Sequence, residues 1–402
     1  MRAKPTRQGW TVMVSAVLAA VVGRAFGIVE LYVIAAAMGV AAVAAWLAVA
    51  VRRPSVQVHR WIRPSVLAAG DVGRVEVVVE QTGAFGSPSF ELVEPVGTER
   101  TARMAVSPIA RAREVSAGYR IPTERRGVLL IGPLQAIRQD VLGLARYATV
   151  VAGQEEVLVS PRAHLLAMPD LGQGVLGRHL LALAQRLGPG DFHSLRNYVD
   201  GDEPRSIHWR ASARSEDLKV RQYSVEGLRR CLVVLDVHGS PVTATARGRA
   251  GTGDHDDAFE RSVTAAASIV HSADRAGLTT RFVTTEGADL RGPDVAAQTL
   301  HLLARVVQSR APTVPVERDP GEGLGLVVVV TADVASAPWR SLERIHDPAL
   351  TSVGVFSSAL PARPPLLAVD ARSEQSFLDG WADLAGAGRR SPRRLDPVGR
   401  AS

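Results

Sequence analysis

The densest group of polar side chains lies in the segment RNYVDGDEPRSIHWRASAR, residues 196–214. Two carboxylates in one turn, Asp200 and Asp202, could share acid–base chemistry in a hydrolase, together with His208. Four arginines and two large aromatic rings in the same segment suit instead a groove for a peptide, a phosphate or a partner protein. The acids and arginines could also pair with one another, as a structural clasp of ion pairs and cation–π contacts.

Patterns that are specific for catalysis are absent from the sequence. No nucleophile elbow, glycine-rich phosphate loop or HExxH pattern occurs. His193 and His208 do not meet an established metal-ligand spacing. We therefore predict a protein that is not an enzyme and that carries no cofactor. Acids between the arginines would repel phosphate groups, so nucleic acid is not expected as a partner either.

The polar segment is predicted to form a turn followed by a strand. DGDEPR at 200–205 combines Asp, Gly and Pro, which are typical of turns. In the following residues, Ile207, Trp209 and Ala211 alternate with polar residues, as in a strand with one apolar face. LKVRQYSV at 218–225 alternates again, which indicates a hairpin partner or an extension beside a larger sheet.

Charge and cysteine content limit the classes of function. The formal net charge is +7, and nearly all cations are arginines, the lysines being Lys4 and Lys219. Together with abundant Ala and Gly, this bias indicates a GC-rich genome rather than phosphate binding. The single cysteine, Cys231, excludes an intrachain disulfide and a multi-cysteine metal cluster. Basic residues collect at the N-terminus, in the tail and after residue 51, where they are Arg52, Arg53, Arg60 and Arg63.

Two uncharged apolar segments, 9–23 and 31–51, are predicted to be transmembrane helices. A helix needs about 20 apolar residues to cross the hydrocarbon core; the second segment meets this length alone and the first with its flanks. Their short connection predicts a hairpin with both ends on one side of the cell membrane. Positive residues flank these ends, so the positive-inside rule places the rest of the chain in the cytoplasm. A signal peptide and a buried soluble hairpin are the alternatives.

The rest of the chain changes its periodicity once. Short alternating segments between residues 54 and 162 predict an all-β, sandwich-like domain. From residue 230, apolar runs alternate with helical patterns, which predicts an α/β domain with a parallel sheet. Ligands of such sheets bind at the carboxyl ends of the strands, where Asp236 and Asp333 are expected.

These patterns predict a multidomain chain with five parts. The last part is rich in Gly, Pro and Arg, a composition that does not form a packed core. The parts are a transmembrane hairpin (1–53), a β-rich domain (54–162), a connecting region with the polar segment (163–229), the α/β domain (230–385) and a disordered basic tail (386–402).

The order of residues in the polar segment resembles the signature of a bacterial protein family, the domain-of-unknown-function family fifty-eight. The matching residues are Arg196, Tyr198, Gly201, Asp202, Arg205, Ile207, Trp209, Ser212, Ala213 and Arg214, followed by LKVR at 218–221. RRGVLLIGP at 125–133 and DVLGL at 140–144 resemble two further elements of the family, RG-x-x-x-x-GP and DPFGL. Val141 and Leu142 replace the usual Pro-Phe. The resemblance covers nearly the whole chain.

This resemblance implies a fold and a class of partner. The C-terminal part of the family is similar to a von Willebrand factor A domain. Its members are often encoded beside MoxR-type AAA+ ATPases and transglutaminase-like membrane proteins, which implies partners of these classes in an envelope-related or chaperone-like assembly. The candidates for partner binding are then Arg196, Tyr198, Gly201, Asp202, Arg205, Trp209 and Arg214.

The A-domain resemblance also implies a position for a metal ion. The first A-domain motif, Asp-x-Ser-x-Ser, holds Mg²⁺ through carboxylate and hydroxyl oxygens. Here DVHGS supplies Asp236 and Ser240, with His238 in place of the middle serine, and Thr331 and Asp333 offer further oxygens. An intact Mg²⁺ site is therefore not expected, and Asp236 is predicted to cap the strand end through backbone N–H groups.

The sequence thus predicts a membrane-anchored, non-enzymatic scaffold or adaptor that binds protein partners, above all a MoxR-type AAA+ ATPase. Two alternatives remain open. One is an envelope hydrolase or ligand-binding enzyme that uses the polar segment. The other is an Mg²⁺-dependent adhesion module built on Asp236, Ser240 and Asp333.

Overall fold

A computed structural model divides the chain into two compact units, Met1–Ser160 and Pro161–Ser402. Of the predicted tail, residues 386 and 387 are described and residues 388–402 lie outside the described part. The structure describes residues 3–51, 54–64, 66–83, 86–111, 113–187, 192–199, 207–215, 217–223, 228–238, 254–309, 323–332, 347, 349–360 and 367–387.

Two long helices open the first unit: α1, Arg7–Phe26, and α2, Val29–Val51. Thr6 caps α1, because its side chain accepts a hydrogen bond from the backbone N–H of Gly9. Both helices are long and apolar enough to cross a membrane, and apolar side chains are exposed around most of their circumference. The prediction of two apolar N-terminal helices is confirmed.

Strands in two sheets form the rest of the first unit. The larger sheet has the order β1-β10-β9-β5-β8-β11-β3, with β6 paired to β5, and the smaller sheet has the order β2-β4-β7. The strands are β1 (Lys4–Pro5), β2 (Val56–Arg63), β3 (Leu67–Ala68), β4 (Gly73–Gln81), β5 (Phe90–Val96), β6 (Arg100–Val106), β7 (Glu114–Ile121), β8 (Gly127–Ile131), β9 (Leu134–Gln139), β10 (Ala145–Ala152) and β11 (Glu155–Ser160).

Alternation of side chains places the core between these two sheets. In β4, Val75, Val77 and Val79 are fully buried while their neighbours are less buried. They pack in one cluster with inward-facing residues of the larger sheet, such as Leu92 of β5 and Ile131 of β8. Successive strand residues point to opposite faces, so each sheet buries one face and leaves the other outside.

The second unit combines helices with one main sheet and a two-stranded sheet. Its elements are α3 (Gly174–Leu187), β12 (Phe192–Asn197), α4 (Trp209–Ser212), β13 (Lys219–Tyr223), β14 (Arg230–Leu235), α5 (Asp254–Arg275), β15 (Thr279–Thr284), β16 (Asp289–Arg291), α6 (Val295–Arg305), β17 (Gly325–Thr331), β18 (Leu350–Phe356), β19 (Ala368–Asp370) and α7 (Glu374–Ala385).

The main sheet has the order β16-β15-β14-β17-β18-β19. Neighbouring strands are parallel except for β15 and β16, which are antiparallel. Every residue of β14 and β17 is buried, as expected for central strands that are covered on both faces. The chain is therefore multidomain, with apolar N-terminal helices and several sheets, as the sequence predicts.

The polar segment differs from the predicted strand pair. β12 pairs with β13 in an antiparallel two-stranded sheet, and Ile207 keeps a single bridge to Val220. Residues 209–212, predicted as strand, form the short helix α4. His208 caps this helix, since its Nδ1 accepts a hydrogen bond from the Ala211 N–H at 3.0 Å. The strand prediction was wrong because a few alternating residues do not distinguish a strand from one helical turn.

Candidate functional site

A buried polar network lies at the carboxyl end of the main sheet, centred on Asp236. This residue directly follows β14 and is fully buried. Its Oδ2 accepts a hydrogen bond from Thr331 Oγ1 at 3.0 Å. Its Oδ1 accepts hydrogen bonds from Thr285 Oγ1 at 3.2 Å and from the backbone N–H of His238 at 3.1 Å. Such partners are needed because a buried, unpaired carboxylate is costly.

The order of the strands brings these residues together. β15 and β17 flank β14 on its two sides, and all three strands are parallel, so they end at the same edge. Thr285 follows β15, and Thr331 is the last residue of β17. Backbone hydrogen bonds from Asp236 N to Val330 O and from Thr285 N to Leu235 O hold the strand ends in register.

His238 is the least buried member of this network. Its Nδ1 lies 3.0 Å from Thr285 Oγ1 and 3.3 Å from Asp236 Oδ1. Thr285 has one hydroxyl proton, which it donates to Asp236, and its oxygen also accepts the N–H of Val237. The hydrogen bond between His238 and Thr285 therefore needs Nδ1 as the donor, which assigns the proton to that ring nitrogen.

The network continues along the same edge to β18 and α5. The Ser357 hydroxyl donates to the backbone oxygen of Thr331 at 3.3 Å and lies 2.7 Å from Ser262 Oγ. The Arg261 guanidinium donates to the backbone oxygen of Ser357 at 3.0 Å. Both serines are fully buried. Hydrogen bonds thus connect the ends of four parallel strands to the helix that follows the first of them.

Arg261 also lines an open cavity of about 260 Å³. The Glu374 carboxylate on the cavity wall also has basic neighbours that do not line the cavity: it lies 3.3 Å from His164 Nε2 and 3.7 Å from Arg162 Nη1. Two carboxylates and one guanidinium give the cavity a mixed charge, so it favours neither a simple anion nor a simple cation. The other lining residues are Glu260, Thr264, Ala371, Ser373 and Phe377.

The described residues at Asp236 fit a hydrogen-bonded brace better than an Mg²⁺ centre. Mg²⁺ prefers oxygen ligands, whereas His238 presents an imidazole where the A-domain motif has a hydroxyl. Within the described ranges, no group of three His, Cys, Asp or Glu side chains is placed to hold a metal ion. Ser240 and Asp333, the other predicted oxygen donors, lie outside the described residues.

The signature residues are placed on the two-stranded sheet and the turn around α4. Arg196 lies on β12 opposite Val220, and the N–H of Tyr198 donates to Leu218 O at 2.8 Å. Trp209 begins α4 with its side chain exposed, and Arg214 is exposed just after the helix. Gly201, Asp202 and Arg205 lie outside the described residues, as does Asp200 of the hydrolase alternative.

Residues 194–345 match the family model described as Protein of unknown function DUF58. This match supports the family resemblance that the signature residues predicted. The DUF58 match begins within β12 and includes Asp236, Thr285 and Thr331, so the centre of the buried network and the signature segment belong to one matched region, while Ser357 lies beyond it. No curated protein matches the chain.

Solved structures show distant similarity. A putative ApaA protein from Bordetella pertussis is 13% identical over 26% of this chain and 91% of its own, with a TM-score of 0.19. The PKD domain of an M14-like peptidase from Thermoplasmatales archaeon SCGC AB-540-F20 is 16% identical over 26% of this chain and 92% of its own, with a TM-score of 0.17. Scores this low carry no argument about fold or function.

Sequence reasoning singled out Asp236 and Thr331 of the network but missed Thr285, Ser262 and Ser357. A signal for two of the missed residues was present. A hydroxyl residue stands at or just after the end of each neighbouring strand, in VTT, VVVT and FSS. Ser262 had no such signal, because its position depends on how α5 packs against β18.

Proposed function

We propose that the protein is a membrane-anchored, non-enzymatic adaptor whose second unit binds a protein partner. A MoxR-type AAA+ ATPase is the first candidate and a transglutaminase-like membrane protein the second, as the DUF58 resemblance implies. The observation that carries the proposal is an exposed apolar group on and beside the signature segment, which we call the signature surface.

The signature surface combines aliphatic, aromatic and basic side chains. Trp209 is 65% exposed, and the exposed Arg214 lies two residues after the end of the same short helix. Tryptophan and arginine are enriched among the few residues that dominate binding energy at protein interfaces, and exposed apolar groups of this kind mark interaction sites. Aliphatic side chains beside them are also exposed: Leu195 on one face of the two-stranded sheet, Leu218 on its other face, and Val199 just after β12.

The buried network supports a binding role for the α/β unit. Both carboxylate oxygens of Asp236 are occupied by hydroxyl and N–H donors, so this residue stabilises the strand ends. In the von Willebrand factor A-like fold that we propose for this unit, partners bind at the loops on this edge of the sheet. A braced edge presents those loops without needing a metal ion.

Membrane anchoring by α1 and α2 completes the proposal. Lys4 and Arg7 lie at the start of α1, and four further arginines follow α2 between residues 52 and 63. This distribution favours a cytoplasmic location for the β sandwich and for the α/β unit under the positive-inside rule. The anchor would then keep the partner-binding unit at the inner surface of the cell membrane.

Co-purification from native membranes tests the partner. We expect the detergent-extracted chain to carry a MoxR-type AAA+ ATPase. Trp209→Ala and Arg214→Ala should each weaken binding of the purified ATPase by about 2 kcal/mol, roughly thirtyfold in Kd, if they are central interface residues. Quantitative mass spectrometry identifies the partner, and biolayer interferometry gives the Kd.

Two matched variants serve as controls in the same unit. Leu165→Ala and Arg275→Ala also truncate exposed apolar and basic side chains, but away from the signature surface and from the carboxyl edge of the sheet, and should leave the Kd unchanged. Equal Kd values for all four variants and the unmodified chain would exclude the signature surface as the binding site. Extraction of the chain without any AAA+ ATPase would reject that class of partner.

A further inference from the structure

The turn between β9 and β10 presents two adjacent aliphatic side chains to the outside. Val141 is 103% exposed and Leu142 is 62% exposed. Asp140 fixes the turn, since its carboxylate accepts the N–H groups of Leu142 at 2.8 Å and Ala145 at 2.5 Å. The two side chains are therefore held outward by an ordered backbone. We call these two residues the aliphatic tip.

The base of this turn is attached to the beginning of α1. The backbone N–H of Thr6 donates to Leu144 O at 2.9 Å, and the Thr6 hydroxyl donates to Gly143 O at 2.5 Å. Gly9 lies directly against the same carbonyl group, because a Cβ atom at this position would be 2.0 Å from Leu144 O. The close approach of turn and helix thus depends on a glycine.

The same turn also contacts the end of α2. Leu144 and Tyr147 pack in one cluster with Ala45 and Val49 near the C-terminus of that helix. Gly9 is the third residue of α1, so at 1.5 Å per residue its contact lies about 3 Å from the start of the helix. The aliphatic tip is therefore held beside the start of α1 and the end of α2, where the proposed membrane helices would meet one surface of the bilayer.

Basic and aromatic side chains surround this level. Lys4 lies opposite Arg146 in the pairing of β1 with β10, and both are exposed together with Arg7. Trp10 and Trp46 are exposed near the same ends of α1 and α2. Tryptophan is enriched at the interfaces of a membrane, and basic residues there attract anionic headgroups.

From this placement we infer that the aliphatic tip inserts into the interfacial layer of an anionic lipid bilayer. The inference rests on the proposed membrane anchoring by α1 and α2. Val141 and Leu142 bury their apolar surface beside the helices, while Lys4, Arg7 and Arg146 meet lipid phosphates. Together with the contacts of the turn to α1 and α2, the insertion fixes the orientation of the β sandwich relative to the bilayer.

Spin labels at single cysteines in the full-length chain test the insertion. The labelled variants are Val141→Cys at the tip, Val17→Cys within α1 and Val72→Cys as the aqueous reference. Val72 precedes β4. Arg74 near the start of β4 pairs with Arg63 at the end of β2. Because β2 begins shortly after α2, this end of β4 lies about 23 Å, the length of β2, from the end of β2 that is nearest to the helices. The native Cys231 is buried, so it does not compete for the label.

Each variant is reconstituted in phosphatidylglycerol–phosphatidylcholine nanodiscs, and collision rates with oxygen and with a water-soluble nickel chelate are compared. We expect the oxygen-to-nickel ratio at position 141 to be several-fold higher than at position 72 and lower than at position 17.

If position 17 gives a bilayer signal and position 141 matches position 72, the insertion is wrong and the anchoring stands. An aqueous signal at position 17 would reject the anchoring, and the insertion with it. Protection of position 141 from both reagents would show that protein covers the tip, which also overturns the insertion.

A glycine pair tests whether contact with α1 sets the depth of the tip. Gly9→Ala places a methyl group against Leu144 O, whereas Gly39→Ala in α2 meets nothing within 4 Å. We expect the first substitution to lower the oxygen-to-nickel ratio of the label at position 141 and the second to leave it unchanged. An equal ratio in both variants counts against the inference.

Discussion

At the scale of single residues, a buried ion pair lies between the two sheets of the sandwich. Arg60 of β2 donates to Glu94 of β5, and the Tyr119 hydroxyl of β7 donates to the same carboxylate at 2.9 Å. Glu155 of β11 accepts from Arg60 at 2.8 Å. The pair connects strands of both sheets, so it holds the two layers in one relative register.

Charge and burial act together on these groups. Burial alone would lower the pKa of Arg60, but the carboxylates of Glu94 and Glu155 outweigh it and raise that pKa. Burial and the Glu94 carboxylate both raise the pKa of Tyr119 far above its usual value. The guanidinium stays charged and the phenol stays neutral, so Glu94 keeps a cation and a hydroxyl donor.

Removing one member of this pair should destabilise the sandwich. Arg60→Met leaves the fully buried Glu94 without its cation, which costs about 3 kcal/mol. Hydrogen exchange of the amides in β4 and β5, followed by mass spectrometry, measures the free energy of opening in the full-length chain.

Arg63→Met in the same strand is the matched control for this variant. Its side chain is 74% exposed, against 7% for Arg60, and it lies 3.6 Å from the partly exposed Glu76. We expect a change below about 1 kcal/mol, as for a surface ion pair. If both variants lower the free energy of opening by similar amounts, Arg60 contributes no more to stability than a surface charge does.

At the scale of elements, an arginine–carboxylate cluster holds the edge of the main sheet. Asp289 of β16 accepts two hydrogen bonds from Arg281 of β15, at 3.0 and 2.9 Å, and one from Arg291. Hydrogen bonds from Arg281, supported by those from Arg291, lower the pKa of Asp289 to about 2. The antiparallel edge strand is therefore attached to its neighbour by charge as well as by backbone pairing.

This cluster makes the stability of the β15–β16 hairpin dependent on pH. The folded pKa of Asp289, about 2, lies below the usual value of about 3.9 for a free aspartate. The stabilisation is therefore complete well above pH 3.9, the usual value of about 3.9 for a free aspartate, and is lost as the pH falls through the folded pKa. Asp289→Asn should therefore lower the free energy of opening by about 1 kcal/mol at neutral pH, a value reduced for the partial exposure of the pair.

Hydrogen exchange of β15 and β16 at several pH values checks this expectation. The difference between the unmodified chain and Asp289→Asn should shrink as the pH falls through the folded pKa of about 2 and disappear below it, where both carry a neutral side chain. Asp294→Asn is the control, because Asp294 precedes α6 without a capping hydrogen bond from its side chain. A difference at Asp289 that does not change with pH would contradict the role of the charge.

At the scale of the whole molecule, the apolar helices differ in their chemistry from the β sandwich and from the α/β unit. Side chains around most of α1 and α2 are exposed and apolar, whereas the cores of the sandwich and of the α/β unit are closed clusters of buried residues. A helix that is apolar on all sides is typical of a membrane span. The proposed orientation places the connection at residues 27 and 28 outside the cell.

Cysteine labelling in intact cells tests this orientation. Ile28→Cys lies in the connection between α1 and α2 and should react with a membrane-impermeant maleimide from the outside. Val66 in the β sandwich is more exposed than Ile28, and Val66→Cys should react only after the membrane is opened. The reverse pattern would place the β sandwich outside the cell. Labelling of both variants in intact cells would reject a membrane barrier between these two positions.

The sequence by itself predicted the features that depend on neighbouring residues. Uncharged runs indicated the two apolar helices, alternation indicated the β-rich region, and the signature pattern indicated the family whose model matches residues 194–345. It also contained a local sign of the buried arginine, because Arg60 alternates in step with Val58 and Ile62 on the inward face of β2. Counted only as one of several basic residues after residue 51, Arg60 was not recognised as a core partner.

Tertiary structure decided which distant residues meet. Asp236 bonds to Thr285 and Thr331, which are 49 and 95 residues away in sequence, because strand order places β15 and β17 on the two sides of β14. Contact between Gly9 and Leu144 arises in the same way, from the position of a β turn against a helix. Local periodicity carries no information about strand order, so these contacts follow only from the packing of the whole chain.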